Sequence, residues 1–330
     1  NGFQAGHIVT KGGNALGTTF RGGGLYDLRT IDLTSTSSFI SVYATEDTDV
    51  RITIETDLIK NPGFAAIGGL PTATTTVGTL ATYTWSFLKG QSMGLKTNAS
   101  GTGEDHNGLL GALIESDKPI AVNVGSLTGA QYELLNDQPG GYIDYALDQI
   151  VPTEFLGTDY IMSRAEGNNH RETATVIAHY NNTSIYLNGS ITPLATLEAG
   201  EAYHINHDYN ETVNFNYNST DSPLPTLTTP YTVNDNLYVR TSNPAYVYQN
   251  IAGDFDGPTQ GMFFVPPLIC SAPRTAFVPR GKSIPGQQGQ FNAGLTILTR
   301  SIATLEINGT PLATLLAAGT VLNYGTTDIN

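Results

Sequence analysis

Strict alternation of polar and apolar residues in Asp49-Val50-Arg51-Ile52-Thr53-Ile54-Glu55 predicts a half-buried strand with Val50, Ile52 and Ile54 on one face. Ile185-Tyr186-Leu187 and Leu305-Glu306-Ile307 alternate in the same way. Each runs into an Asn-Gly pair, Asn188-Gly189 and Asn308-Gly309, whose tolerance of positive φ predicts a hairpin turn. No stretch longer than about 12 residues carries a 3.6-residue apolar period, so strands and turns are expected to fill most of the chain.

These patterns recur. After the second hairpin comes Pro193-Leu194-Ala195-Thr196-Leu197, and after the third the same five residues return as Pro311-Leu312-Ala313-Thr314-Leu315. Leu88-Lys89-Gly90-Gln91 is a fainter echo in the first copy. The first two copies then close with apolar segments interrupted by Ser116-Asp117-Lys118-Pro119 and by Ser242-Asn243-Pro244, which reads as a proline turn between two strands. A connector follows each, Gln149-Ile150-Val151-Pro152-Thr153 and Phe264-Val265-Pro266-Pro267.

The repeat of roughly 120 to 135 residues is too long for a solenoid and predicts tandem antiparallel β-sandwich or barrel-like lobes in an all-β chain. The expected divisions are a lead-in at 1–37, a first repeat with connector at 38–163, a second at 164–280 and an incomplete third at 281–330. The third copy stops before its proline-containing strand pair, so either a longer polypeptide or a partner is expected to supply it.

Composition narrows the function classes. The chain has 330 residues, enough to bury large cores without metals or disulfides. Charged residues make up 13%, and the formal charge of -14 comes without any Lys/Arg cluster, so nucleic acid is not an expected partner. No apolar run reaches the ~20 residues that span a bilayer. The single cysteine, Cys270, cannot pair internally and fits a bacterial exterior better than the eukaryotic secretory route.

The strand pair Ser116 to Val122 and the segment Asp148-Gln149-Ile150-Val151-Pro152-Thr153-Glu154-Phe155-Leu156-Gly157-Thr158-Asp159-Tyr160 resemble the IgGFc-binding protein N-terminal domain family over residues 35 to 325. The resemblance implies a module of a large secreted protein. Its relatives include mucin-associated animal proteins and cell-surface adhesins of gliding Bacteroidota, exported by type IX secretion. The animal members are cysteine-rich and this chain is not, so immunoglobulin binding does not carry over.

Signals for chemistry are sparse. Glu166, His170, Arg171 and Glu172 could hold an acid and a base, although a Gly- and Asn-rich loop carries such residues without any activity. Gly22-Gly23-Gly24 lacks the Lys-Ser/Thr of a phosphate loop. His204 and His207, three apart on a strand, point to opposite faces, against a shared metal.

Glu46, Asp47 and Asp49, and Asp254 and Asp256, place carboxylates two apart near turns, which makes calcium the one conceivable cofactor; neither segment matches a full calcium-loop pattern, and a solvated turn is the preferred reading. Tyr142, Tyr145, Tyr231, Tyr238, Tyr246 and Tyr248 could stack on sugars, yet tyrosine is also an ordinary strand residue. Asn98, Asn181, Asn182, Asn188, Asn210, Asn218 and Asn308 begin Asn-x-Ser/Thr triplets, which a Thr- and Asn-rich chain produces by composition.

The expected function is a non-enzymatic, extracellular adhesion module. It would bind a protein or glycan on a surface, other domains of the same polypeptide, or neighbouring subunits. A carbohydrate-binding module would instead show exposed tyrosines or Trp85 beside a groove. A hydrolase would gather Asp148, Glu154 and Glu166 in one cleft, and a filament subunit would accept a neighbour's strand.

Overall fold

The computed structural model of the chain describes residues 10–25, 38–55, 64–66, 74–97, 107–126, 145–163, 173–206, 236–252, 260–268 and 304–317. Nearly all of this is antiparallel β-structure, arranged as one unit built twice. The first unit contains β1 (Gly17–Arg21), β2 (Ser38–Ala44), β3 (Thr48–Glu55), β4 (Phe64–Ala66), β5 (Thr75–Val77), β6 (Leu80–Phe87), β7 (Ser92–Thr97), β8 (Leu113–Ser126) and β9 (Ala146–Ile150). The second contains β10 (Gly157–Ser163), β11 (Thr173–Ala178), β12 (Thr183–Leu187), β13 (Ala195–Leu197), β14 (Ala202–Asn206), β15 (Asn236–Ala252) and β16 (Gln260–Phe264).

The strand order β7-β2-β8-β3-β6 of the first unit matches β14-β11-β15-β12-β13 of the second. The correspondence extends to the flanks, where β1 and β9 pair with β8 just as β10 and β16 pair with β15. The strand β10, which follows the first connector, is hydrogen-bonded into the second sheet, not the first.

The proline segments do not separate two strands as the sequence suggested. Pro119 lies inside the single 14-residue strand β8, and Pro244 inside the 17-residue β15. The physical reason is a change of partner at the proline. Residues Leu113–Ser116 of β8 pair with β3, and Ile120–Ser126 pair with β2, leaving exposed Asp117, Lys118 and Pro119 between them. A missing N–H there breaks no ladder bond. Each long strand therefore belongs to two half-sheets whose inner faces enclose the core.

Alternation sets those inner faces. Val50, Ile52 and Ile54 are fully buried, as their spacing requires, and meet Ile40, Val42, Ile114, Ile120 and Val122 in the first core. The second core gathers Val176, Ile185, Leu237, Val239, Val247 and Tyr160. The Tyr160 hydroxyl accepts the Gly157 N–H at 3.1 Å and shares its proton between the carbonyls of Gly157 and Ala245, fastening β10 to β15 beside the proline. Each connector closes on its own first strand: a Cβ on Gly17 would lie 2.3 Å from Pro152, and one on Gly157 2.5 Å from Pro267. Only glycine permits that approach.

The third copy keeps its hairpin, β17 (Glu306–Ile307) and β18 (Thr310–Pro311). Asn308 and Gly309 have φ of 51° and 75°, beside 48° and 77° at Asn188 and Gly189, as the Asn-Gly pairs predict. The shared five-residue string then diverges: it enters β13 in the second unit but forms α1 (Leu312–Ala317) in the third.

Candidate interaction surface

The two units meet through a face that the repeat alone would leave outside. On β11 and β15 the outward residues Ile177, Tyr246 and Tyr248 join Met262 and Phe264 of β16 in the first unit's core. Tyr246 and Tyr248 stack at 6.2 Å with an interplanar angle of 11°, and Phe264 meets both edge-on. The Tyr246 hydroxyl donates to the Val151 carbonyl at 2.7 Å, tying the second unit to the connector of the first. A Cβ on Gly23 would lie 2.4 Å from the Tyr248 ring. Burial pushes both phenols up, Tyr248 well above the ordinary tyrosine value.

Around this junction Arg21 donates to the Gly111 carbonyl at 2.9 Å and toward the His179 ring and carbonyl at 3.4 Å. Desolvation, followed by the Arg21 charge, pulls His179 down. Asp148 accepts from Lys11 Nζ at 2.6 Å and from the Phe264 amide at 2.7 Å, so one carboxylate joins the N-terminal segment and both units.

The sequence candidates fall as follows. Tyr246 and Tyr248 are fully buried and present no ring to a sugar. Tyr145 is exposed, whereas Tyr142 and Tyr231 lie outside the described residues. Trp85 sits opposite Val50 on the inner face, half-buried against the core beside Tyr83. Asp148 is buried and held by Lys11, while Glu154 is exposed on the connector. The charged loop Glu166, His170, Arg171 and Glu172 lies outside the described residues.

His204 is buried and pulled down to about 4 by desolvation; His207 is outside the described residues. Asp47 accepts the Lys89 amide at 2.8 Å and thereby fastens the turn after β6, and Asp49 is a half-buried residue of β3. Asp254, Asp256 and Cys270 are outside the described residues. Among the described residues no group of three or more His, Cys, Asp or Glu is placed to hold a metal ion, and no helix is long and apolar enough to cross a membrane.

One cluster on the outer face combines aromatic and charged groups, with Tyr238 buried and Arg240 exposed. On the outer face of the second unit, Tyr186 of β12 pairs in register with Arg240 of β15, whose guanidinium lies 4.3 Å from the ring centroid. Beside them the Tyr238 hydroxyl donates to Asp159 at 2.5 Å. Burial, then that carboxylate, raises Tyr238 to about 12. Arg240 is exposed and Tyr186 half-buried, so a flat ring and a five-donor cation face outward together. Sequence reasoning named Tyr238 but missed Tyr186, Arg240 and Asp159. They occupy ordinary polar positions of alternating strands, and only the pairing register brings them together.

Among curated proteins and among solved structures, none matches the chain. A family model described as IgGFc binding protein matches residues 8–330, including both units and the third hairpin. That description is of a binding protein, and the motifs at Ser116 to Val122 and Asp148 to Tyr160 that resembled this family fall inside the match. By this match the chain belongs to the IgGFc-binding protein family.

Proposed function

We propose that the chain is a non-catalytic, extracellular adhesion module of a larger surface protein and grips a protein partner through the outer face of its second unit. The observation that carries this reading is the Tyr186–Arg240 pair, with Tyr238 and Asp159 alongside. Tyrosine and arginine dominate binding energy at protein interfaces, because a rigid ring and a planar cation supply contact area and directed hydrogen bonds at low entropic cost. Family membership supports a binding role. The low charge content and the Thr-rich outer strands fit a surface exposed outside the cell, and attachment or gliding is the cellular setting in which such a module would serve.

The experiment is adhesion of beads coated with the chain to intact cells, before and after the cells are shaved with protease or treated with glycosidases. Protease should abolish retention, and the double variant Tyr186→Ala/Arg240→Ala should lower it at least tenfold. Retention that survives protease and falls with glycosidase would replace this reading with carbohydrate binding.

A further inference from the structure

Lys11 and Asp148 form the most enclosed ion pair among the described residues, with side chains 23% and 4% exposed and Nζ 2.6 Å from Oδ1. Lys11 Nζ also donates to the Gln149 carbonyl, and the Lys11 amide donates to Gln149 Oε1 at 2.6 Å. The second carboxylate oxygen, Oδ2, accepts the Phe264 amide at 2.7 Å. Withdrawing two charges from water costs several kcal/mol per ion, so an enclosed pair of this kind returns little as a simple salt bridge.

We propose that Lys11 and Asp148 are a cross-linking pair that condenses to an intramolecular amide, tying the N-terminal segment covalently to β9. At ordinary contact angles, a 2.6 Å N–O contact puts Nζ about 3–3.7 Å from the carboxyl carbon, overlapping the ~3–3.5 Å near-attack window. The hydrogen-bond pattern assigns the two oxygens different parts. Nζ passes a proton to Oδ1, leaving a neutral amine and a carboxylic acid. The amine attacks Cγ, and the negative charge that develops on Oδ2 is held by the Phe264 N–H.

A second proton moves from nitrogen to the Oδ1 hydroxyl, the C–Oδ1 bond breaks, and one water leaves. The ammonium and carboxylate thus become an amide and a water, with no oxidant or co-reactant. Desolvation, which lowers Lys11, favours the neutral amine that must attack. The product loses both enclosed charges yet keeps its partners: the amide N–H faces the Gln149 carbonyl, and its oxygen still accepts from Phe264.

The test is the intact mass of the full chain under denaturing conditions, followed by peptide mapping. The expected mass is one water below that of the sequence, with a branched peptide joining the segments that carry Lys11 and Asp148. Lys11→Arg and Asp148→Ala should each show the full mass of their own sequence. Asp148→Asn can condense with loss of ammonia and should end at the same mass as the cross-linked natural chain. A full mass for the natural chain, or a deficit that maps elsewhere or persists in Lys11→Arg, would overturn the proposal.

Discussion

The outward face of β2 and β8 in the first unit and that of β11 and β15 in the second occupy the same place in the repeat but have opposite surroundings. In the first, Ser41 sits opposite Asn123, and the amide donates to the hydroxyl at 3.2 Å in a half-buried setting. In the second, the corresponding pair is Thr175 and Tyr248, both fully buried where the first unit packs against them. The neighbouring outer face diverges too: Arg51 lies opposite Glu115 and bonds Asp117 at 2.8 Å in the first unit, where the second has Tyr186 against Arg240. Inner faces are therefore set by the fold and stay mainly apolar, with Ser116 and Thr241 as matching buried polar positions, whereas each outer face is free to match whatever it touches.

Matched substitutions can break this comparison. Tyr248→Ala should cost about 3–5 kcal/mol, because it empties a filled site between the units, while Asn123→Ala at the equivalent position should cost no more than about 1 kcal/mol. Urea unfolding of both variants checks this, and equal losses would mean that the two faces do not differ as described.

The next effect is pH-dependent and lies on the same buried face, at His204, which pairs with Thr175. Its folded value of about 4 is below the ordinary 6.5, so the unfolded state binds more protons between those limits. Stability from this group is complete above about pH 6.5 and declines as pH falls toward 4, by about 3 kcal/mol. His204→Gln should flatten that part of the profile relative to the natural chain. An unchanged slope between pH 6.5 and 4 would show that His204 is accessible to water.

Smallest of all should be the effect on stability at the outer face, where Tyr186→Ala and Arg240→Ala are each expected to shift unfolding by less than about 1 kcal/mol. A larger loss would make the pair structural and weaken its assignment to recognition.

Much of the fold was legible because its signals are local. The alternation around Val50, Ile52 and Ile54 and the positive φ of Asn188 and Asn308 follow from strand and turn chemistry alone. The string Pro-Leu-Ala-Thr-Leu marks where that stops. In the second unit Leu194 N–H closes the hairpin on the Ile185 carbonyl at 2.7 Å, and in the third Leu312 N–H closes on Leu305 at 2.9 Å. Beyond that shared bond, Ala195, Thr196 and Leu197 pair with Ile185, Ser184 and Thr183, and Leu197 is buried. The third copy follows the helical preference of Leu and Ala instead. The same five residues thus take two forms, and their identity alone does not choose between them.

The site was less legible for the same reason. Tyr246 and Tyr248 read as exposed candidates because period-2 alternation says which residues point away from one core, not that a second unit lies beyond. Tyr186 and Arg240 are 54 positions apart (240 − 186), and only the register of β12 on β15 joins them. Lys11 and Asp148 are likewise joined only by the fold.

The most direct test of the assigned recognition face is retention of coated beads on untreated cells, comparing the natural chain with Tyr186→Ala/Arg240→Ala and with Arg51→Ala/Asp117→Ala from the equivalent face of the first unit. Loss of retention in the second-unit variant alone is the predicted result. Equal retention by all three, or loss only in the first-unit variant, would contradict the assignment of recognition to the second unit.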